Sequence, residues 1–389
     1  MRIAAAVIGV VGALLAGMWL GGHSSVLPDP LQDLVADEQV AQIDDALSRV
    51  ESDFYREVDE EKLTDDAIRG AVKGLDDRFS AYFDEKDYQR FTELTNARFS
   101  GIGVTVLPHD KGLQITQVYD KSPAAKAGLR EDDVIVAADG KRLAGKPQEA
   151  ATGLIKGPKG TPVRLTIERD GKRITKRVVR DEISVPVVSS RRRTVDGEEY
   201  AVIRLETFSS GAHAEFYEAV RKAEKDDVAG IVFDLRGNTG GLVTEARLIA
   251  SAFLKEGEIV TTRGRSVEEQ VYRATGEPVA PETPVVVLVD RHSASASEIV
   301  AGALQDRGRA KLVGTRTFGK GVFQNVVQLD NGGALDITVG QYFLPSGRNL
   351  GGKGTSRGAG LKPDVRARDD RKTERRDEAL QRALDVLAG

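Results

Sequence analysis

DRHSASASEIVAGALQDRGRAKLVGTRTFGKGVFQ, residues 290–324, is the stretch on which the reading of this chain turns. The apolar run Val285–Val289 leads into it, as a buried strand would. Ser293, Ala294, Ser295, Ala296 and Ser297 then crowd a turn with small side chains. Ile299, Val300, Ala303 and Leu304 follow on one face at helical spacing. A strand that enters a helix through such a turn can lift one hydroxyl clear of the backbone. It also leaves helix N-terminal N–H groups pointing outward, where an oxyanion could sit. Downstream, Lys320 stands between Gly319 and Gly321, after Phe318.

A serine hydroxyl is inert until a base takes its proton. His292 is three residues from Ser295 and cannot easily face it across the turn, and His23, His109 and His213 have no motif around them. A lysine can replace histidine when burial disfavours its ammonium form. Lys320 is the candidate, with Gln324 placed to orient its amine. Lysines between glycines are also common in solvated loops, and the residue pattern alone leaves Ser293, Ser295 and Ser297 in play. A Ser-His-Asp hydrolase is disfavoured, because there is no G-x-S-x-G elbow and no placed histidine.

The chain has 389 residues, enough for two or three domains, and 40% hydrophobic with 30% charged residues suits a globular protein with a sizeable core. A net charge of −4 argues against a nucleic-acid partner. No cysteine is present, which excludes disulfides, thiolate metal sites and a cysteine nucleophile. No two of the four histidines have metal-ligand spacing, so neither a metal nor a cofactor is expected. Residues 3–22 carry no charge and follow Arg2, which reads as a signal peptide or an uncleaved membrane anchor, with the body outside the cytoplasm.

Helical patterns span residues 31–97, with Val40, Ile43, Leu47 and Val50 on one face, then 65–75 and 85–94. This N-terminal helical region would either pack on the body or serve as a dimerisation arm. Residues 98–181 are β-rich. Gly101-Ile102-Gly103-Val104 opens the block; Ser122-Pro123-Ala124 begins a short helix that closes at Gly128. Two strands run into the Asp-Gly pairs 139–140 and 170–171. The block resembles a PDZ domain, which would take a C-terminal peptide as an added strand and hold its carboxylate on the N–H groups of Gly101, Ile102, Gly103 and Val104. From 182 to 368 strands alternate with helices, including the run Gly230–Asp234, which implies a layered α/β core. A charged, amphipathic helix covers 369–389 and reads as packed or solvated rather than functional.

Serines 293, 295 and 297, the Phe318-Gly319-Lys320-Gly321 run, Gln324, residues 234–241 and Tyr342 to Arg348 together resemble the carboxyl-terminal processing proteases. These are Ser-Lys peptidases with an inserted PDZ domain, and the likeness covers most of the chain. The resemblance implies Ser295 as nucleophile, Lys320 as general base and Gln324 as its partner. It implies an oxyanion hole from the N–H of Ala296 and of Gly240 or Gly241, with Gly241 favoured. Substrates would be proteins with apolar C-termini, in the cell envelope. It leaves open an adaptor or activator protein and a homodimer or larger oligomer. Thr239, Phe323, Phe343 and the glycine-rich 351–360 depart from the family pattern without removing a catalytic group. A PDZ-bearing scaffold without activity is the competing reading; it would need none of Ser295, Lys320 and Gln324.

Overall fold

The computed structural model describes residues 38–352, 358–369 and 377–389. The uncharged run 3–22 lies outside the described residues. Among the described residues, no helix is long and apolar enough to cross a membrane. The chain divides into two compact units, Met1–Tyr82 and Phe83–Gly389.

In the first unit, α1 (Glu38–Asp53) and α2 (Glu60–Lys73) are amphipathic helices. Helix α2 begins earlier than hydrophobic spacing predicts, because the Asp59 carboxylate caps it by accepting the Lys62 N–H at 3.1 Å. Val40, Ile43 and Val50 on α1 remain exposed. A short strand, β1 (Ala81–Phe83), follows.

The second unit opens with α3 (Glu85–Asn96), capped by Asp84 and ended by Ala97 at φ 46. Strand β2 (Arg98–Gly101) then leads into a β-rich insertion, and β9 (Asp181–Ser184) leads out, paired antiparallel to β2 from Arg98↔Ser184 to Gly101↔Asp181. Between them lie β3 (Val104–His109), β4 (Gly112–Val118), α4 (Pro123–Lys126), β5 (Val134–Ala138), β6 (Lys141–Arg142), α5 (Gln148–Ile155), β7 (Pro162–Arg169) and β8 (Lys172–Val179). The sheet order is β3-β4-β5-β7-β8, with β6 beside β5. Both Asp-Gly pairs have two positive φ values, as a two-residue hairpin turn requires. The apolar run 99–106 is not one strand. Gly103 breaks it at φ +82, where a Cβ would stand 2.3 Å from the Ser122 Cβ. Leu113, Ile115, Ile135, Leu165 and Ile167 fill this domain's own core.

The core sheet has six strands, in the order β10 (Val188–Val195), β11 (Glu198–Leu205), β12 (Gly230–Asp234), β15 (Val285–Val289), β16 (Lys311–Gly314), β19 (Val365–Arg366). All neighbours are parallel except β10 and β11. Helices α6 (Ala212–Lys225), α7 (Val243–Ser251) and α8 (Ala296–Asp306) join the cluster of Ile231, Phe233, Val287 and Leu312 on one face. Helix α9 (Glu378–Ala388) covers Val232, Val286, Leu288 and Val313 on the other, through Ala379, Leu380, Ala383 and Leu384. Burial on both faces is why 230–234 and 285–289 read as unbroken apolar runs. A second, antiparallel sheet joins β14 (Gln270–Arg273), β13 (Glu258–Gly264), β18 (Ala334–Phe343) and β17 (Val322–Gln328). The loops after β12 and β15 leave the carboxyl ends of adjacent parallel strands, so they meet, as ligand-binding loops of such sheets do.

Leu384 is 2% exposed between α9 and the sheet. Leu384→Ala should lower the unfolding free energy by ~2–4 kcal/mol, measured by urea titration. A loss under 1 kcal/mol would mean that α9 is not packed as described.

Candidate active site

The turn between β15 and α8 holds Ser295 at φ 56 and ψ −116, a conformation costly for a residue with a side chain. Its neighbours fix it there. Ser293 is buried, donates to the Leu235 carbonyl at 2.8 Å and accepts the Asp290 N–H at 2.9 Å. Ser297 is also buried and donates to the Asn238 carbonyl at 2.9 Å. It lies within α8, whose N-cap is Ser295. Of the three serines only Ser295 is partly exposed.

The loop after β12 closes over this turn. Asn238 donates to the Leu205 carbonyl at 2.9 Å, and its side-chain oxygen takes the Gly240 N–H at 2.8 Å. Its own carbonyl accepts the Ala294 N–H at 3.1 Å. A Cβ on Gly240 would lie 2.8 Å from both the Ala294 oxygen and the Ser295 Cβ, so only glycine permits the approach. The Gly240 N–H is thus already engaged. Among the described residues, the N–H groups of Gly241 and Ala296 have no hydrogen-bond acceptor.

Lys320 donates its Nζ to Gln324 Oε1 at 2.6 Å, and Gln324 Nε2 donates to Thr338 Oγ1 at 3.0 Å. Both loops are tied to one fully buried carboxylate, Glu298. Its Oε2 accepts the Ser295 N–H at 3.0 Å and the Lys320 N–H at 2.9 Å. Its Oε1 accepts the Gly319 N–H at 2.7 Å and the Thr317 hydroxyl at 2.5 Å. Burial, the largest influence, pushes the Glu298 carboxyl above the usual range, against the pull of these four donors. Tyr342, fully buried, donates its hydroxyl to the Lys320 carbonyl; burial and then the Glu298 charge hold its phenol well above its ordinary value. Asn349 donates to the Gly321 carbonyl at 2.7 Å, so the backbone of 319–321 is held on every side.

Comparison with known proteins places the chain in a family. Residues 199–367 match peptidase family S41, 100–179 match the PDZ domain, and 22–87 match the N-terminal domain of the activating protease CtpB. The carboxy-terminal-processing protease of Bartonella bacilliformis is 37% identical over 335 residues, 84% of this chain and 75% of that protein. This chain belongs to the carboxy-terminal processing proteases. CtpB of Bacillus subtilis is 32% identical over 367 residues, 92% of this chain and 76% of that one. A solved structure assigned to the S41 proteases, from Bacteroides fragilis, shares the fold at a TM-score of 0.51 and 19% identity, covering 89% of this chain and 96% of that one. The protein is therefore a serine-type peptidase with a PDZ domain.

In this processing protease the PDZ loop residues Gly101, Ile102, Gly103 and Val104 line a mainly apolar cavity of about 580 Å³. Val106 and Ile155 line it too, and Lys156 at its rim pairs with Glu93 at 2.9 Å. Two histidines are occupied elsewhere: His213 Nδ1 pairs with Glu245 Oε2 at 2.9 Å, and His292 Nε2 accepts from Arg291 at 2.9 Å. Sequence reasoning gave no role to Glu298, Thr317, Thr338 or Tyr342. Glu298 left a local trace, three residues after Ser295 at the spacing of a capping box.

The sign of the Glu298 shift matters for stability. A carboxyl whose folded pKa is raised favours the fold below its unfolded value, and that contribution is lost as pH rises through the folded value. The raised carboxyl, which takes four hydrogen bonds from the two loops, thus serves geometry more than stability. Glu298→Gln would set an amide NH2 against N–H donors. It should lower kcat at least a hundredfold while stability changes by only ~1–3 kcal/mol, read from peptidase assays beside thermal melts. Relief of the positive φ should make Ser295→Gly more stable than Ser295→Ala by ~1 kcal/mol; equal melting temperatures would argue against strain at the turn.

Proposed function

We propose that this peptidase is exported and works through a Ser295–Lys320 dyad on proteins selected by their C-terminal tails. One observation carries the dyad. The Ser295 and Lys320 amide nitrogens bind the same Glu298 oxygen, at 3.0 and 2.9 Å, so nucleophile and base stand less than about 6 Å apart at the backbone. Gln324 holds the Lys320 amine at 2.6 Å as its orienting partner.

Neutral Lys320 takes the hydroxyl proton as Ser295 attacks the scissile carbonyl. The N–H groups of Ala296 and Gly241 receive the oxyanion; each such donor contributes about 3–4 kcal/mol in comparable sites. Gly240 is set aside because its N–H serves Asn238. Lys320 returns the proton to the leaving amine, and water hydrolyses the acyl-enzyme. The PDZ loop at 101–104 would pair with a peptide end, its carboxylate on the loop N–H groups and its apolar side chain in the cavity beside Ile102 and Ile155. Export rests on the uncharged run 3–22. The match of 22–87 to the CtpB N-terminal domain supports a role for an activating partner. Maturation of precursors or turnover of envelope proteins would suit such an enzyme.

Ser295→Ala and Lys320→Ala should each abolish cleavage of an unfolded protein with an apolar C-terminus, with circular dichroism unchanged. Amidating that C-terminus should raise KM in the wild-type enzyme. Full activity in either variant would refute the dyad, and equal cleavage of free and amidated tails would refute tail selection.

A further inference from the structure

We propose that helix α9 is a positioning element for the oxyanion loop, acting through Asp377 on Arg236. The proposal rests on the reading that loop 235–241 supplies an oxyanion donor. Arg236 is the second residue after β12, four positions before Gly240. Its guanidinium is only 15% exposed. It binds Asp234 through Nε at 3.0 Å and Nη2 at 2.8 Å. It binds Asp377 equally closely, through Nη1 and Nη2, both at 2.8 Å. Asp369 adds a carboxylate oxygen at 3.6 Å.

Asp377 and Asp369 also serve α9 itself. Asp377 is the N-cap and accepts the Leu380 N–H at 2.9 Å, while Asp369 accepts the Ala379 N–H at 3.0 Å. The carboxylates that start the terminal helix thus grip the arginine of the loop. A two-point grip on a planar guanidinium fixes its orientation as well as its distance, which an exposed single contact would not do. The hold passes on through the backbone. Gly237, next to Arg236, donates its N–H to Asp290 Oδ1 at 3.0 Å, and the same oxygen accepts the Ser293 N–H at 3.0 Å. Residues 237–241 therefore hang between the terminal helix on one side and the Ser295 turn on the other. A helix that merely covered the sheet would need its apolar face, Leu380 and Leu384, but no bidentate bond to this loop.

Asparagine caps a helix as well as aspartate does, so Asp377→Asn separates the grip from the cap. Asp377→Ser is a second variant that keeps a capping oxygen and cannot reach Arg236. In both, kcat on a tail-bearing protein should fall about tenfold with KM within twofold of wild type and the melting temperature nearly unchanged. A peptide boronic acid, which forms a tetrahedral adduct on the serine, should lose affinity by a similar factor, whereas binding of a free apolar tail peptide should not change. Wild-type kcat in both variants would overturn the proposal. So would a lower kcat with unchanged boronate affinity, since the oxyanion loop would then be intact. Ser295→Ala is the control: if it still cleaves, the reading of the site fails, whatever the Asp377 variants do.

Discussion

Removing a carboxylate from water is unfavourable by several kcal/mol, and only a full set of donors offsets it. Glu298 meets that condition with donors from two loops, the Ser295 turn and the 317–320 segment. Neither loop can relax without leaving the charge short of a partner. The penalty for disorder is thereby placed on the two backbones that carry Ser295 and Lys320. The glycines at 319 and 321 belong to the same constraint. A Cβ on Gly321 would lie 2.2 Å from the Gly351 nitrogen, so the lysine loop is pressed against a second glycine-rich segment and has little room to shift.

Strain at Ser295 can be understood within that frame. A positive φ is unfavourable by itself, and persists only where surroundings over-determine it. Here the surroundings are polar and specific: Asn238 binds both the turn and the glycine loop, and Glu298 holds the Ser295 N–H. The same bonds that impose the conformation take up the Gly240 N–H, whereas those of Gly241 and Ala296 have no acceptor among the described residues.

Much of this was legible in the chain. Runs 230–234 and 285–289 announced buried parallel strands because both faces of the sheet are covered, and the Asp-Gly pairs announced hairpins because few other residues accept two positive φ values. The small-residue turn and the Lys320–Gln324 pair drew attention because the residue types suited each other, and the two side chains do meet, at 2.6 Å. What was illegible depended on distant partners. Glu298 looks like an ordinary first-turn acid of a helix, and nothing local tells that it is fully buried. Thr338 meets Gln324 only through the pairing of β17 with β18. Helix α5 has no side-chain cap and is eight residues long, too short for periodicity to reveal. The bond from Arg236 to Asp377, at the start of the terminal helix, spans 141 residues and leaves no local mark in the sequence.

The PDZ domain enters and leaves through β2 and β9, a single pair of adjacent antiparallel strands. To the α/β core, the whole insertion is topologically equivalent to one long hairpin. Its two ends stay together whatever lies between them, so the loop-closure entropy of the insertion is met at its base and does not depend on its contents. A PDZ domain of different pocket chemistry could be grafted on the same two strands without disturbing the order of the core sheet. In this architecture the inserted domain and the peptidase core are free to evolve as separate parts.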